Sequence, residues 1–180
     1  SALVRRRDWL WKIDLSKAYL HMPIPELLSR LLCFRLHGQT YAYQAMPFGI
    51  SVAPRMWTKL MRLPVAVLRA RGVRISFYID DILIAAETPD LCLRHAIWTM
   101  ALLTSLGLTI NAKKSSTHPS HVVEHLGVLV DSENMSLRLP PVKVTKLLTR
   151  IRHFLRAGTE TRHPARKLAT FIGHLGSARE

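Results

Sequence analysis

The sequence predicts an α+β fold in which an antiparallel sheet has helices packed on one face. Two observations lead to this prediction. Short runs of β-branched and apolar residues come in adjacent pairs with a tight turn between them, at 31–45 and at 73–86, which is typical of antiparallel hairpins. Longer segments with helix-capping residues lie between these pairs. Because hairpins and helices alternate along the chain, we expect the helices to cover one face of the sheet.

Each element is assigned from its own pattern and from the residues at its ends. Proline is tolerated in the first turn of a helix, so Pro54 opens a helix that ends before Gly72. Thr88 and Pro89 are the N-cap and the first residue of the next helix, which Gly107 stops. In chain order, the predicted elements are a strand at 9–14, a short helix at 25–30, strands at 31–36 and 40–45, a helix at 54–70, strands at 73–77 and 82–86, a helix at 89–106, a strand-like stretch at 122–130, and helices at 142–155 and 165–175.

The helix that begins at residue 89 is expected to bury one apolar stripe. The stripe consists of residues that recur roughly once per turn, namely Leu91, Trp98, Leu102 and Leu106. Trp57 and Trp98 are therefore expected to be core residues rather than platforms on which bases stack.

The charge balance points to a polyanionic partner. The 180 residues include 26 Lys and Arg against 12 Asp and Glu, which gives a formal net charge of +14. The basic residues are spread along the chain, and this suits a long surface that follows a phosphate backbone. A soluble domain whose surface is merely basic is the alternative that composition leaves open.

Length, apolar content and cysteine usage exclude other classes of protein. With 48% apolar residues, 180 residues suffice for one domain with a sizeable core. No apolar run reaches the length of a membrane span, so no membrane partner is expected. Cys33 and Cys92 lack metal-ligand spacing and do not suggest a secreted disulfide framework. An intracellular, reducing compartment is therefore expected, without a choice between cytoplasm and nucleus.

Asp80 and Asp81 lie at the turn of the second hairpin. Two carboxylates between apolar strands repel each other and resist the loss of water. A hard divalent cation such as Mg²⁺, which prefers carboxylate oxygen, would remove that conflict. The alternative is an ordinary turn, because Asp commonly bonds nearby backbone N–H groups in turns.

Asp14 is a third candidate ligand because it ends the first strand. If that strand lies beside the second hairpin, Asp14, Asp80 and Asp81 converge. Three carboxylates around two Mg²⁺ ions suit nucleotidyl transfer, in which one ion activates the attacking oxygen and the other steadies the leaving phosphate. Since side chains alternate along a strand, Asp80 is expected to matter more than Asp81.

Five motifs occur in a fixed order between residues 9 and 130. They are Asp14-Leu15-Ser16-Lys17-Ala18-Tyr19, the block from Met46 to Pro54, Tyr78-Ile79-Asp80-Asp81, the stretch from Leu106 to Ser115, and His125-Leu126-Gly127. Together they resemble the motifs of reverse transcriptases, specifically the palm of retrotransposon enzymes. The stretch at 18–24 is similar to that of DIRS-like or gypsy-like elements. Five ordered motifs are far more specific than any one of them.

The resemblance implies a ligand set for two Mg²⁺ ions, with Mn²⁺ as a substitute. Asp14 and Asp80 would ligate both ions, and Asp81 and the backbone carbonyl of Leu15 would be further ligands. Lys114 would act as the general acid toward the leaving pyrophosphate, with Lys113 as its rival.

The resemblance also implies residues that contact the nucleotide and the primer. The implied nucleotide-binding residues are Leu15, Ser16, Lys17, Ala18, Tyr19, Phe48 and Gly49. The ring of Tyr19 would exclude a 2′-hydroxyl and so select dNTPs, although a half-buried structural tyrosine is the alternative. Leu126 and Gly127 would form the primer grip.

As a whole, the resemblance implies the palm of an RNA-directed DNA polymerase, a nucleotidyltransferase that extends a primer on an RNA or DNA template. Residues 1–139 are assigned to the palm, with the fingers largely missing, and 140–180 to a helical thumb-like or connection-like segment. Further polyprotein domains, such as RNase H, recombinase or integrase, are expected as partners. The 180 residues alone are therefore expected to have little polymerase activity.

Two other functions compete with this one. The first is a decayed or domesticated relic that binds nucleic acid without catalysis, which the intact acids and the intact Tyr19 disfavour. The second is a palm that makes RNA, which Tyr19 also disfavours.

Overall fold

A computed structural model describes residues 3–156, 169 and 172–173 of the chain, and it confirms the predicted α+β class with antiparallel strands. Its elements are β1 (Trp9–Asp14), a short 3-10 helix (Ala18–His21), α1 (Glu26–Leu31), β2 (Cys33–Leu36), β3 (Gln39–Ala42), α2 (Ala53–Ala70), β4 (Arg74–Tyr78), β5 (Asp81–Ala86), α3 (Pro89–Ser105), β6 (Val122–His125), β7 (Val128–Asp131), β8 (Ser136–Arg138) and α4 (Pro141–Arg156).

The described strands form three small antiparallel sheets. The central sheet has the order β1-β5-β4, and the other two are the β2-β3 hairpin and the β6-β7-β8 meander. Strand β5 pairs with a neighbour on each side, and its residues 82–86 are all buried. A continuous apolar run suits a strand that is covered on both faces, so this sequence specifies the middle of the sheet.

The two faces of the central sheet meet different layers. Residues of one face join the main core with helices α2 and α3, and they include Trp11, Ile13, Ile82 and Ile84. Residues of the other face form a second cluster with strand β6, and they are Leu10, Leu83, Ala85 and Val123. Because side chains alternate along β1, the even-numbered residues of this strand face the β6 side. The helices thus cover one face, as predicted.

The predicted start of α3 is confirmed, and its predicted buried stripe is wrong at Trp98 and Leu106, which are exposed, whereas Leu91 and Leu102 pack against the core. Thr88 Oγ1 accepts a hydrogen bond from the Leu91 N–H at 3.2 Å, as an N-cap should. The buried residues of this helix are Cys92, His95, Ala96, Thr99 and Leu103. Trp98 is 46% exposed. The small side chains let the helix approach the sheet closely, and Leu103 joins them in the core, whereas Leu93, Ile97 and Trp98 are exposed.

The strand-like stretch at 122–130 is two strands rather than one. Leu126 and Gly127 both have positive φ, of 50° and 80°, and they form the turn between β6 and β7. Positive φ at both central residues is the geometry of tight hairpin turns, which glycine favours. The helix predicted at 165–175 lies largely outside the described residues. No helix within the described part of the chain is long and apolar enough to cross a membrane.

Candidate active site

The pairing of β1 with β5 brings the first and third carboxylates together. Asp14 lies directly opposite Asp81 in the antiparallel register. Asp80 sits in the turn between β4 and β5, and its backbone carbonyl accepts a hydrogen bond from the Leu15 N–H at 2.8 Å. The sheet therefore gathers the backbones of Asp14, Asp80 and Asp81 at one end, where both strands stop.

The turn that carries Asp80 is strained and is held by a tryptophan. Ile79, the first central residue of the turn, has a φ of 55°, which is rare for a β-branched side chain. Its backbone carbonyl accepts a 2.7 Å hydrogen bond from the indole N–H of Trp57 on α2. Trp57 is fully buried, as predicted, so the helix layer directly supports the turn.

Burial and neighbouring charges act on Asp14. The side chain is 4% exposed, and burial is the largest cause that raises its pKa. Asp80 and Asp81 raise the pKa further, while Lys114 and a hydrogen bond with the Asn111 side chain lower it. Repulsion between a buried carboxylate and two partly buried neighbours is the condition that a divalent cation relieves.

The loop after α3 closes the free edge of β1. The Ser16 N–H bonds to the Thr109 carbonyl and the Asn111 N–H bonds to the Asp14 carbonyl, both at 2.8 Å. The Asp14 N–H bonds to Ser115 Oγ at 3.0 Å. These bonds fix the loop against the site, and Lys114 is the lysine whose charge reaches Asp14.

Tyr19 lies beside the carboxylates, and its ring is next to the exposed ring of Phe48. It is 6% exposed, and burial and then Asp80 raise the pKa of its hydroxyl. The Phe48 ring, which is 63% exposed, has its centroid 5.2 Å from that of Tyr19. Gly49 follows with a φ of 90°, which only glycine adopts readily. Two of the predicted nucleotide-contacting groups are therefore neighbours, although their sequence positions are distant.

The remaining predicted nucleotide residues form the turn that follows β1. Ser16 and Lys17 are turn residues, and Lys17 has a φ of 54°. Ala18 is buried at the start of the short helix that carries Tyr19. The turn therefore places the Tyr19 ring next to the end of the strand.

The predicted primer-grip residues are tied to α4. The turn at Leu126 and Gly127 exposes half of the leucine side chain. Lys143 Nζ, on α4, donates a 2.7 Å hydrogen bond to the Gly127 carbonyl. A movement of α4 would therefore displace this turn or break the hydrogen bond to it.

The donor set suits Mg²⁺ in its chemistry. Three carboxylates supply hard oxygen ligands, and one oxygen, Asp81 Oδ1, is buried without an aligned hydrogen-bond donor. No backbone hydrogen bond of the described residues ends on the Leu15 carbonyl, which leaves it free for a ligand. As the side chains are placed, no three acidic, histidine or cysteine residues of the described part stand close enough to hold an ion together. Side-chain rotation at the turn is needed to close the set.

Sequence reasoning missed two residues that act on this site. Lys12 Nζ lies 3.0 Å from Asp81 Oδ1, and Trp57 bonds to the turn between β4 and β5. Lys12 has a sequence signal, because it stands two residues before Asp14 and so shares its face of the strand. The Trp57 contact has no sequence signal, because it depends on how α2 packs against the turn between β4 and β5.

Comparison with known proteins decides the family. A family model described as "Reverse transcriptase (RNA-dependent DNA polymerase)" matches residues 2–130. The chain belongs to the reverse transcriptase family. The predicted motifs all lie within the matched range.

The relatives of this reverse transcriptase chain are polyproteins. It is 27% identical over 180 residues to the Gag-Pol polyprotein of Walleye dermal sarcoma virus, covering 99% of this chain and 10% of that protein. It is 29% identical over 111 residues to the Transposon Tf2-3 polyprotein of Schizosaccharomyces pombe, covering 62% and 8%. The chain thus spans about a tenth of their length. Assignment to DIRS-like or gypsy-like elements stays a prediction.

Solved reverse transcriptases share the fold. The foamy viral protease-reverse transcriptase in complex with an RNA/DNA hybrid has a TM-score of 0.78 and 22% identity, covering 98% of this chain and 22% of that one. The same enzyme in complex with dsDNA has a TM-score of 0.76 and 21% identity, covering 98% and 33%. At this level of identity the likeness confirms the reverse transcriptase fold.

Proposed function

We propose that this chain is the catalytic palm of an RNA-directed DNA polymerase that extends a primer with dNTPs by two-metal nucleotidyl transfer. The observation that carries the proposal is the cross-strand pair Asp14 and Asp81 with Asp80 in the adjoining turn. The family assignment supports the polymerase class. Residues 1–139 are the palm in this proposal, and 140–180 are a thumb-like or connection-like segment.

The residues that would hold the metals are Asp14, Asp80, Asp81 and the Leu15 carbonyl. At these residues a bound Mg²⁺ or Mn²⁺ ion would supply Lewis-acid activation of the primer hydroxyl and charge neutralisation for the leaving phosphates. The chain's own contribution is to bring the backbones of three acidic residues to one end of the sheet, with Asp14 buried and Asp80 and Asp81 partly exposed. The raised pKa of Asp14 supports this role, because a group whose charge is costly gains most from a bound cation.

Lys114 is proposed to donate a proton to the leaving pyrophosphate. Its charge lowers the pKa of Asp14, so it stands near the carboxylates, and its side chain is exposed toward incoming ligands. This proximity favours Lys114 over Lys113.

Tyr19 is proposed to select dNTPs by occupying the space that a 2′-hydroxyl would need. Its burial against Phe48 holds the ring in one position, and its hydroxyl is close enough to Asp80 for that charge to act on its pKa. A rigid ring at the edge of the site is what steric selection requires. This role favours DNA synthesis over RNA synthesis.

The partners in this proposal are a primer and an RNA or DNA template. The solved neighbours that bind dsDNA and an RNA/DNA hybrid support nucleic-acid partners. Leu126 and Gly127 would grip the primer, and their bond to Lys143 would couple the grip to α4. Fingers, RNase H and recombinase or integrase domains are further proposed partners.

The test is Mg²⁺-dependent extension of a primed RNA template by a longer polymerase polypeptide that contains these residues. Asp80→Asn keeps the side-chain shape but removes a metal-binding charge, so extension should fall by at least about 10³-fold. Asp90→Asn, a matched change at an exposed acid on α3, should leave extension within about twofold. Extension by Asp80→Asn at the parental rate would refute the two-metal proposal.

The 180-residue chain alone is expected to extend the same primer far more slowly than the longer polypeptide. If neither polypeptide extends the primer, but both bind nucleic acid without any need for Mg²⁺ or dNTP, the non-catalytic relic becomes the better function. Incorporation of rNTPs as readily as dNTPs would instead favour a palm that makes RNA.

A further inference from the structure

Lys12 lies inside the carboxylate site although its charge is opposite to that of a ligand. It shares the β6-side face of β1 with Asp14, two residues further on. Its Nζ is 3.0 Å from Asp81 Oδ1, and the two side chains are only 19% and 22% exposed. This ion pair is therefore partly shielded from water, unlike an ordinary surface pair.

The contact is ionic rather than a well-formed hydrogen bond. Asp81 Oδ1 is buried and has no aligned donor, even though the ammonium lies within 3.0 Å. An ammonium that holds an oxygen by charge alone is replaced more easily than one that also donates a linear hydrogen bond. Asp81 Oδ1 is thus occupied by a cation that is able to leave.

His125 lies near Lys12 and Asp81 and is 7% exposed. Burial lowers its pKa most, and the charges of Asp81 and Lys12 act on that pKa in opposite directions. Among the ion pairs of the described residues, the Lys12 pair is the one that engages a carboxylate of this site.

Lys12 also has room to move. A cavity of about 490 Å³ borders it on the side of the 114–120 loop and strand β6. Its lining is polar and includes Lys114, Ser115, Ser116 and Glu124, so a displaced ammonium would meet water and hydroxyl groups. Displacement would therefore not strand a charge in an apolar core.

We propose that Lys12 is a built-in counter-ion of Asp81 that competes with a divalent cation for the same carboxylate and so sets the metal affinity of the site. Lys12 is a positioning residue, since it acts through Asp81. The inference rests on the proposed two-metal function. A divalent cation must displace the ammonium before Asp81 completes the ligand set, because two cations repel each other at one oxygen.

The test measures Mn²⁺ binding to the 180-residue chain by electron paramagnetic resonance, without nucleotide or template. Lys12→Met keeps the length of the side chain and removes its charge, so it should bind Mn²⁺ at least about fivefold more tightly than the parent. Lys146→Met, which removes the same charge at an exposed lysine of α4, should bind within about twofold of the parent. Equal or weaker Mn²⁺ binding by Lys12→Met would overturn the inference.

Thermal unfolding gives a second readout that does not depend on turnover. With a chelator present, Lys12→Met should melt below the parent, because Asp81 then lacks its ion-pair partner, and added Mg²⁺ should raise its melting temperature more than the parent's. An equal response to Mg²⁺ would contradict competition. Lys12→Gln repeats both measurements if circular dichroism shows that the methionine variant is unfolded.

The outcomes separate the two proposals. Mn²⁺ binding by the parent chain, with no gain in Lys12→Met, refutes the role of Lys12 and leaves the two-metal function standing. No Mn²⁺ binding by any folded variant refutes the two-metal function and this inference with it.

Discussion

Trp57 joins the core to the turn that carries Asp80 through a single hydrogen bond. Its indole N–H bonds to the carbonyl of Ile79 at 2.7 Å, and Ile79 has the unfavourable φ of 55°. A strained residue persists only when its surroundings fix it, and such residues concentrate at functional sites. The bond therefore contributes both stability and a fixed position for Asp80.

We predict that Trp57→Phe lowers the free energy of unfolding by about 1–2 kcal/mol, because the ring is largely kept while the Ile79 carbonyl loses its buried donor. Urea denaturation measures the change. Trp98→Phe, at a tryptophan that is 46% exposed, is the control and should cost under about 0.5 kcal/mol. Equal losses in the two variants would show that the hydrogen bond adds nothing.

Site residues that stand in a sequence motif could be predicted from the sequence. Contacts that depend on which residues of two strands lie opposite each other could not. Asp14, Asp80 and Tyr19 stand in motifs whose order survives in the sequence. The Lys12–Asp81 contact depends on the pairing of Asp14 with Asp81, which no local pattern specifies.

At the scale of elements, one buried acid holds together the turn between β7 and β8 of the β6-β7-β8 meander. Asp131 ends β7 and is 2% exposed. Its carboxylate accepts hydrogen bonds from the backbone N–H and the side-chain amide of Asn134, both at 3.0 Å, and from the Arg138 guanidinium. The Asn134 bonds are the largest cause that lowers the pKa of Asp131. This turn orients the meander that packs against the central sheet.

We predict that Asp131→Asn lowers the melting temperature at neutral pH and that the difference shrinks in acid. A carboxyl whose pKa is depressed by folding stabilises above its ordinary value of 3.8, and this stability is lost as pH falls through the lower folded value. Thermal unfolding from about pH 6 to about pH 3 measures it. Glu133→Gln, at an exposed neighbour, should show no such pH dependence. A constant difference across the range would contradict the role of the charge.

The errors in predicting elements share a physical cause. The predicted face of α3 and its buried face both fit helical periodicity, so the pattern alone does not show which face is buried. Packing selects the face with Ala96 and Thr99. The stretch at 122–130 is apolar on both sides of its turn, so alternation did not reveal the hairpin. The turn at Leu126 and Gly127 carried the only local signal, a glycine.

At the scale of the whole molecule, positive charge is concentrated on helices that contain no acid. Neither α2 nor α4 has an Asp or Glu. On α2, Arg55, Lys59 and Arg62 recur at helical spacing and line a groove of about 710 Å³ beside Tyr78 and Ile79. Among the described residues these three cations form no salt bridge. A phosphate backbone that reaches the turn that carries Asp80 would therefore meet unpaired positive charge.

We predict that these three residues contact phosphates directly, so the substitutions Arg55→Gln, Lys59→Gln and Arg62→Gln together should reduce the salt dependence of duplex binding. Each lost phosphate contact lowers the slope of log K against log salt by about 0.9, which gives a decrease of about 2–3. Fluorescence anisotropy with a labelled duplex at several salt concentrations measures it. The control removes three exposed arginines that lie apart from one another: Arg35 on β2, Arg71 in the turn after α2, and Arg94 on α3. Both triple variants lose the same net charge, so equal slopes would show that the duplex responds to total charge and not to the α2 groove.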